Sequence, residues 1–252
     1  MIVEFIGPPG GGKTTLARSL AARLQARSRD VELISSWRPG ERQQGEAQSP
    51  GGSAAAMQRL TRAMGEMGHL LWDKSIRSEE AGMTHALLEL MPPPRLLWKI
   101  RMYQYISRLA NNWRKALLDS RMTLFDQGFI QVVYSLAAFE PRSGREKIED
   151  ALDLVPVPDL IIRVTVPDDV LARRLADRRH NAGRLERLME VSPDANLAAV
   201  PLFDALDASL VRRNVPIVRI ESAADPCWDR ILRSIEHPVP DTRQYQRNVV
   251  TA

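Results

Sequence analysis

Residues 7–14 read Gly7-Pro8-Pro9-Gly10-Gly11-Gly12-Lys13-Thr14, a match to G-x-x-x-x-G-K-[ST]. Such a run can wrap phosphate. Its glycines let successive backbone N–H groups turn inward on phosphate oxygens, the lysine reaches the β- and γ-phosphates, and the hydroxyl ligates Mg²⁺. Thr15 extends the set into whatever follows. A second chemistry-bearing residue is Asp126, in Thr123-Leu124-Phe125-Asp126-Gln127-Gly128. A carboxylate at a strand end can hold Mg²⁺ through water or accept a proton from an attacking hydroxyl, and it can equally cap the next helix. The third feature is a concentration of charge: Arg173, Arg174, Arg178, Arg179, Arg184 and Arg187 against only Asp177 and Glu186. Arg174 and Arg178, four apart on a helix, share a face and can point at one anion. Guanidinium groups placed there would neutralise charge on a transferring phosphoryl group.

These residues need elements to aim them. Met1 to Gly7 is short, rich in β-branched and aromatic residues and stopped by Gly-Pro-Pro-Gly, as a buried strand should be. Leu16, Leu20 and Leu24 then recur every four residues, the stripe of an amphipathic helix, and Val31 to Ser35 reads as a second strand. Strand, helix and strand make a βαβ unit, which crosses over right-handedly into a parallel sheet. Further strands are expected at Met122 to Phe125, Leu160 to Val166 and Ile217 to Ile220. The fold class is therefore α/β, a doubly wound parallel sheet of about five strands with helices on both faces. Residues 38–56 are rich in Gly, Pro, Gln and Ser and read as a loop. Helical patterns follow at Met57 to Trp72 and Ser75 to Leu90. A third, after Pro92, Pro93 and Pro94, is expected to bury Leu96, Ile100, Tyr103, Ala110, Trp113 and Leu117. Helices are also expected over 168–179, 195–213 and 226–236, with 180–194 polar. The whole chain, 1–252, reads as one domain, with 41–120 an elaboration and 173–190 an arginine-rich segment.

Composition narrows the function classes. The chain has 252 residues, 44% hydrophobic and 26% charged, an ordinary globular balance. It contains no apolar run of about 18 residues, the length needed to span a bilayer. Met1 to Gly7 has no basic leader before its apolar stretch, so the expected location is cytoplasmic. One cysteine and four histidines form no zinc-ligand spacing. The net charge is only +4, and no Phe, Tyr or Trp interleaves the arginines of 173–187, so a nucleic-acid partner is not expected.

With these pieces placed, the sequence resembles the P-loop nucleoside and nucleotide kinases, and thymidylate kinases in particular. The resemblance is carried by GPPGGGKTT, Trp37-Arg38-Pro39-Gly40, FDQGFIQVVYSLA and PDLIIRVTVPDDVLARRLADRR, which is similar to that family's strand and LID helix. It implies a P-loop NTPase-type fold, ATP, Mg²⁺ and phosphoryl transfer, with Lys13, Thr14, Asp126, Arg174 and Arg178 in the corresponding roles. Residues 41–120 would then be the acceptor-binding elaboration and 173–190 the LID. Glu221-Ser222-Ala223-Ala224 looks like the family's adenine-side loop, which puts Ser222 and Ala223 beside the base.

Two departures bear on the acceptor. Thymidylate kinases carry Asp-Arg-Tyr where this chain has Asp126-Gln127-Gly128, and the Arg-Glu-Pro-Gly motif has become Trp37-Arg38-Pro39-Gly40. An uncharged amide can hydrogen-bond a sugar or alcohol but cannot balance a phosphate dianion. The expected acceptor is thus a hydroxyl of a nucleoside, sugar or related metabolite, ahead of a nucleoside monophosphate. Arg38, Gln127 and Tyr103 are the candidate contacts, and Trp72, Tyr105 and Trp113 are further candidates for the pocket wall. The expected partners are ATP and that small acceptor, with homodimerisation left open. The competing reading is an NTP-hydrolysing switch or assembly factor acting on a protein partner.

Overall fold

A computed structural model describes residues 1–35, 78–181, 193–221 and 227–237. The expected loop over 38–56, the helix over 57–72 with Trp72, the Trp37-Arg38 motif, and Ser222 and Ala223 lie outside the described residues.

Five strands form one sheet: β1 (Ile2–Ile6), β2 (Val31–Ile34), β3 (Met122–Phe125), β4 (Leu160–Val164) and β5 (Ile217–Ile220). Every pairing is parallel and the order is β2-β3-β1-β4-β5, so the strand carrying the glycine-rich loop is central. All five strands fall within one residue of where the sequence places them, except that β4 stops at Val164 and not at Val166. The ten helices among the described residues are α1 (Lys13–Ala26), α2 (Ser78–Leu90), α3 (Leu96–Leu118), α4 (Phe129–Ala137), α5 (Pro141–Glu146), α6 (Ile148–Leu154), α7 (Asp168–Asn181), α8 (Pro193–Ala198), α9 (Leu202–Arg212) and α10 (Trp228–Glu236).

Strand alternation sorts the core into two layers. On one face Val3 and Phe5 pack with Leu16, Leu20 and Leu24 of α1 and with Ile231, Leu232 and Ile235 of α10. On the other, Ile2 and Ile6 pack with α3, α4, α6 and α9, including Trp113, Phe129, Ile148 and Phe203. Tyr134 stacks on Phe203 at 3.8 Å between ring centroids, joining α4 to α9.

Three expectations need correction. α3 buries Met102, Ile106, Leu109, Ala110, Trp113 and Ala116, whereas Leu96 and Leu117 are 74% and 40% exposed. The buried stripe lies about one residue, roughly 100°, around the helix from the expected one, with Ala110 and Trp113 common to both. The helix expected over 195–213 is two helices, broken by a turn ahead of Pro201, which has no N–H to continue a helical ladder. Residues 141–154, given no element from sequence, form α5 and α6.

Candidate active site

The site is built where β1 and β3 end side by side and release Gly7 and Asp126. In an open parallel sheet this carboxyl edge is where the connections part and leave a crevice. The loop after β1 turns through positive φ at Gly10 (79°) and Gly12 (95°), conformations that L side chains rarely adopt, and closes with Gly11 N–H donating to Pro8 O at 3.0 Å. It delivers α1 with no side-chain cap and no acidic residue in its first turn. A helix N-terminus so left keeps its positive end for an anion from elsewhere.

Lys13, only 5% exposed, folds back on that loop: its Nζ donates to Gly7 O at 2.7 Å and Pro8 O at 3.0 Å. Thr14, half-buried, turns its hydroxyl to Asp126, with Oγ1 at 3.0 and 2.9 Å from the two carboxylate oxygens. Thr15 is exposed. Asp126 lies two residues ahead of Gly128, the N-cap residue of α4. It is buried, its N–H is tied to Ile34 O, and its carboxylate faces the start of α1. A hydroxyl and a carboxylate converging this way are hard oxygen donors of the kind Mg²⁺ takes, with phosphate oxygens and water completing the shell. Among the described residues no group of three or more Cys, His, Asp or Glu side chains converges, so nothing there points to an all-protein metal cage.

The arginine-rich helix α7 lies against the same loop. Arg174 is exposed, and its Nη1 donates to Gly10 O at 3.2 Å. Leu171 and Leu175 face inward and anchor α7, as their spacing predicts. The side chain of Arg178 and residues 182–190 of the segment lie outside what is described.

Of the acceptor candidates, Gln127 is half-buried at the turn between Asp126 and α4, and its carbonyl accepts the Tyr105 hydroxyl at 3.1 Å. Tyr103 is also half-buried and packs against the core from α3. Trp113 belongs to the core instead of a pocket wall: it is 2% exposed and packs between Phe125, tilted against it, and Phe129, edge-on. Arg101 and Arg108 flank Tyr105 at i−4 and i+3, on its side of α3. Burial holds the Arg101 guanidinium below its ordinary pKa, and the neighbouring charge of Arg108 adds to this.

Two residues beside the site were not singled out from sequence. Glu4, in the middle of β1, is fully buried and accepts N–H bonds from Gly128, Ile130 and Gln131 at 3.1, 3.2 and 2.8 Å. Burial raises its carboxyl to about 7, against the lowering effect of those donors. Gln131, also buried, turns its Oε1 to the Gly7 N–H at 3.0 Å. The available signal for Glu4 was one charge inside an otherwise apolar five-residue strand.

No family model matches the sequence, and no curated protein matches it. Solved structures do. A deoxyadenosine kinase from M. mycoides with bound dATP aligns over 94% of this chain and 100% of that one, at TM-score 0.50 and 12% identity. The same enzyme with products dCMP and a flexible dCDP aligns over 94% and 97%, at TM-score 0.51 and 12% identity. A thymidylate kinase from Ehrlichia chaffeensis aligns over 94% and 98%, at TM-score 0.47 and 15% identity. The chain shares its fold with that deoxyadenosine kinase.

Proposed function

We propose that this chain, folded as those kinases are, is an ATP-dependent phosphotransferase that moves the γ-phosphoryl group of ATP to a small-molecule hydroxyl. The carrying observation is that Thr14 Oγ1 meets both oxygens of Asp126 beside the glycine-rich loop, while Arg174 reaches Gly10 from the opposite side. A structural turn before an ordinary helix has no use for a buried lysine, a buried carboxylate and a bridging arginine around one loop.

In this reading the loop amides and the α1 N-terminus bind the triphosphate, and Lys13 exchanges its two loop carbonyls for β- and γ-phosphate oxygens. Thr14 and Asp126 would hold Mg²⁺, which when bound withdraws charge from the phosphate oxygens. Arg174, and Arg178 if it shares the face, neutralise charge on the group in transit. The acceptor oxygen forms the new O–P bond as the bond to the ADP oxygen breaks, and the acceptor proton leaves to Asp126 or to solvent. Contact with Thr14 favours the metal-holding role for Asp126. The acceptor would sit against Gln127, Tyr103 and Arg38, with the adenine near Ser222 and Ala223.

Since Gln127 offers hydrogen bonds but no charge, a nucleoside, sugar or related metabolite is the preferred acceptor class, ahead of a nucleoside monophosphate. The test is transfer of labelled γ-phosphate from ATP across a panel of nucleosides, nucleotides and sugars. A kinase makes ADP in step with one phosphorylated product. Slow hydrolysis indifferent to every acceptor, but accelerated by a protein partner, would replace this reading with an NTP-driven switch. Thymidine monophosphate as the best acceptor would overturn the inference from Gln127.

A further inference from the structure

We propose that Glu4 is a positioning residue for this site: it ties the first turn of α4 into the central strand, and so sets where Asp126 stands relative to Thr14 and the glycine-rich loop. The inference rests on the phosphotransferase reading above.

Alternation along β1 puts Ile2, Glu4 and Ile6 on the face covered by α4, and the two isoleucines do what such positions ordinarily do, packing in the core. A carboxyl group with no exposed surface between them gives up its hydration. What it obtains in return is the opening of α4. Its Oε1 accepts from Gly128 N and Gln131 N, and its Oε2 from Ile130 N, so it serves as the N-cap that Gly128 has no side chain to provide. A Cβ on Gly128 would stand 2.4 Å from Glu4 Oε2, so the close approach requires glycine.

Helices are usually capped by a neighbour in sequence. Here the cap comes from 124 residues away, on the strand that launches the phosphate-binding loop. Two routes run from that cap to the loop. One passes back through Gly128 and Gln127, whose carbonyl is held by Tyr105, to Asp126 and its contact with Thr14. The other passes through Gln131, whose backbone N–H binds Glu4 and whose side chain binds Gly7 N–H. Glu4 therefore sets the register of the Asp126–Gly128 turn against the loop without facing the nucleotide.

A cap that only stabilises α4 would lower the melting temperature and leave binding by the folded protein unchanged. A positioning residue should act on the step that uses Asp126. The experiment titrates full-length wild-type protein and Glu4→Gln with a fluorescent ATP analogue, with and without MgCl₂, well below either melting temperature. Affinity without Mg²⁺, carried by the loop amides and Lys13, is expected to stay within about twofold, while the gain conferred by Mg²⁺ falls about tenfold, the usual scale for groups that orient a metal ligand. In the Asp126→Asn background the same change should remove no further Mg²⁺ gain, because the route through Asp126 is already cut and the Gln131 route does not end on a metal ligand. A Glu4→Gln protein with a lower melting temperature and an unchanged Mg²⁺ gain would overturn the proposal, as would additive losses. Should Glu4→Gln fail to fold, Glu4→Asp keeps the charge but draws it back from α4 and must show the same loss of Mg²⁺ gain. A wild-type protein that shows the gain but phosphorylates no acceptor refutes the phosphotransferase reading while the Glu4 result still stands. A wild-type protein without nucleotide binding overturns both.

Discussion

Lys13→Met separates the functional account of the loop from a structural one. The substitution keeps an unbranched stem of similar length at a position 5% exposed and removes only the ammonium. That ammonium donates to Gly7 O and Pro8 O at 2.7 and 3.0 Å. Two hydrogen bonds from a charged donor contribute about 3–6 kcal/mol once exchange with water is counted, before the burial of the ammonium charge itself. Withdrawing the same charge from water costs several kcal/mol, so the net stability change should lie within about 2 kcal/mol of zero. In a domain of this size that corresponds to a melting temperature lowered by less than roughly 8 °C. Loss of a fixed cation from the phosphates in the transition state costs about 3–4 kcal/mol, a fall in kcat of at least a hundredfold. The assay pairs ADP release, measured with saturating acceptor, with a thermal melt of the same preparation. Turnover within tenfold of wild type would refute the assignment of the loop to phosphate, and a variant that does not fold would show Lys13 to be a structural residue.

Three further outcomes follow from other contacts. Asp126→Asn keeps the size of the side chain but loses its charge, so the MgCl₂ concentration for half-maximal turnover should rise about tenfold; a lowered kcat with an unaltered Mg²⁺ requirement would make Asp126 a base instead. Asp207 of α9, 6% exposed, accepts from Arg163 of β4, itself 9% exposed, and from Arg219 of β5. Asp207→Ala leaves Arg163 with the exposed Asp204 and should cost about 3–5 kcal/mol, a melting temperature lower by on the order of 10 °C. Turnover by the folded fraction should not change, and a loss at low temperature would place this cluster in the site. Glu149 lies at about 2 because hydrogen bonds from Arg213, Ser209 and Arg212 outweigh the raising effect of burial. A carboxyl depressed in the folded state contributes stability above its unfolded value of 4.5 and loses it as pH falls towards 2. Glu149→Gln should thus be less stable at pH 7, by on the order of 1 kcal/mol for a half-exposed group, and indistinguishable at pH 2. Parallel stability curves across that window would refute the assignment.

The strands were legible because each is a short apolar run bounded by breakers, and the loop because its spacing is a chemical requirement. The buried face of α3 was not. Apolar residues occupy two stripes one residue apart, through Ile100, Tyr103 and Leu117 or through Met102, Ile106 and Leu109, and only the partners α3 meets decide between them. Leu96 and Leu117 made the wrong stripe look the more hydrophobic, although both are exposed. The helices over 141–154 are six and seven residues long, too short for a 3.6-residue period to repeat convincingly. Glu4 escaped for a different reason. A lone acid in a strand reads as solvent-facing, and its value appears only when the sheet order makes β1 central and α4 lies across it.

That arrangement also bears on the acceptor. β1 stands under two helix N-termini, α1 and α4, each with a positive end. α4 is supplied with a carboxylate from inside the protein, Glu4, while α1 has no acid in its first turn and takes its anion, in the proposed reading, from the triphosphate. Around that triphosphate the described cations are Lys13 and Arg174, partly offset by Asp126, and Gln127 adds nothing. A second phosphate on the acceptor would have to find compensation elsewhere, and the described groups on the Tyr105 side of α3 that could supply it are Arg101 and Arg108. Burial lowers the Arg101 guanidinium and the charge of Arg108 adds to this, so an anion between them would be welcome where a neutral sugar would be indifferent. The two acceptor classes therefore separate on one pair of side chains. Truncating Arg101 and Arg108 together should leave KM for a neutral acceptor within about twofold and raise it about tenfold or more for a monophosphate, and the reverse pattern would remove the argument from Gln127.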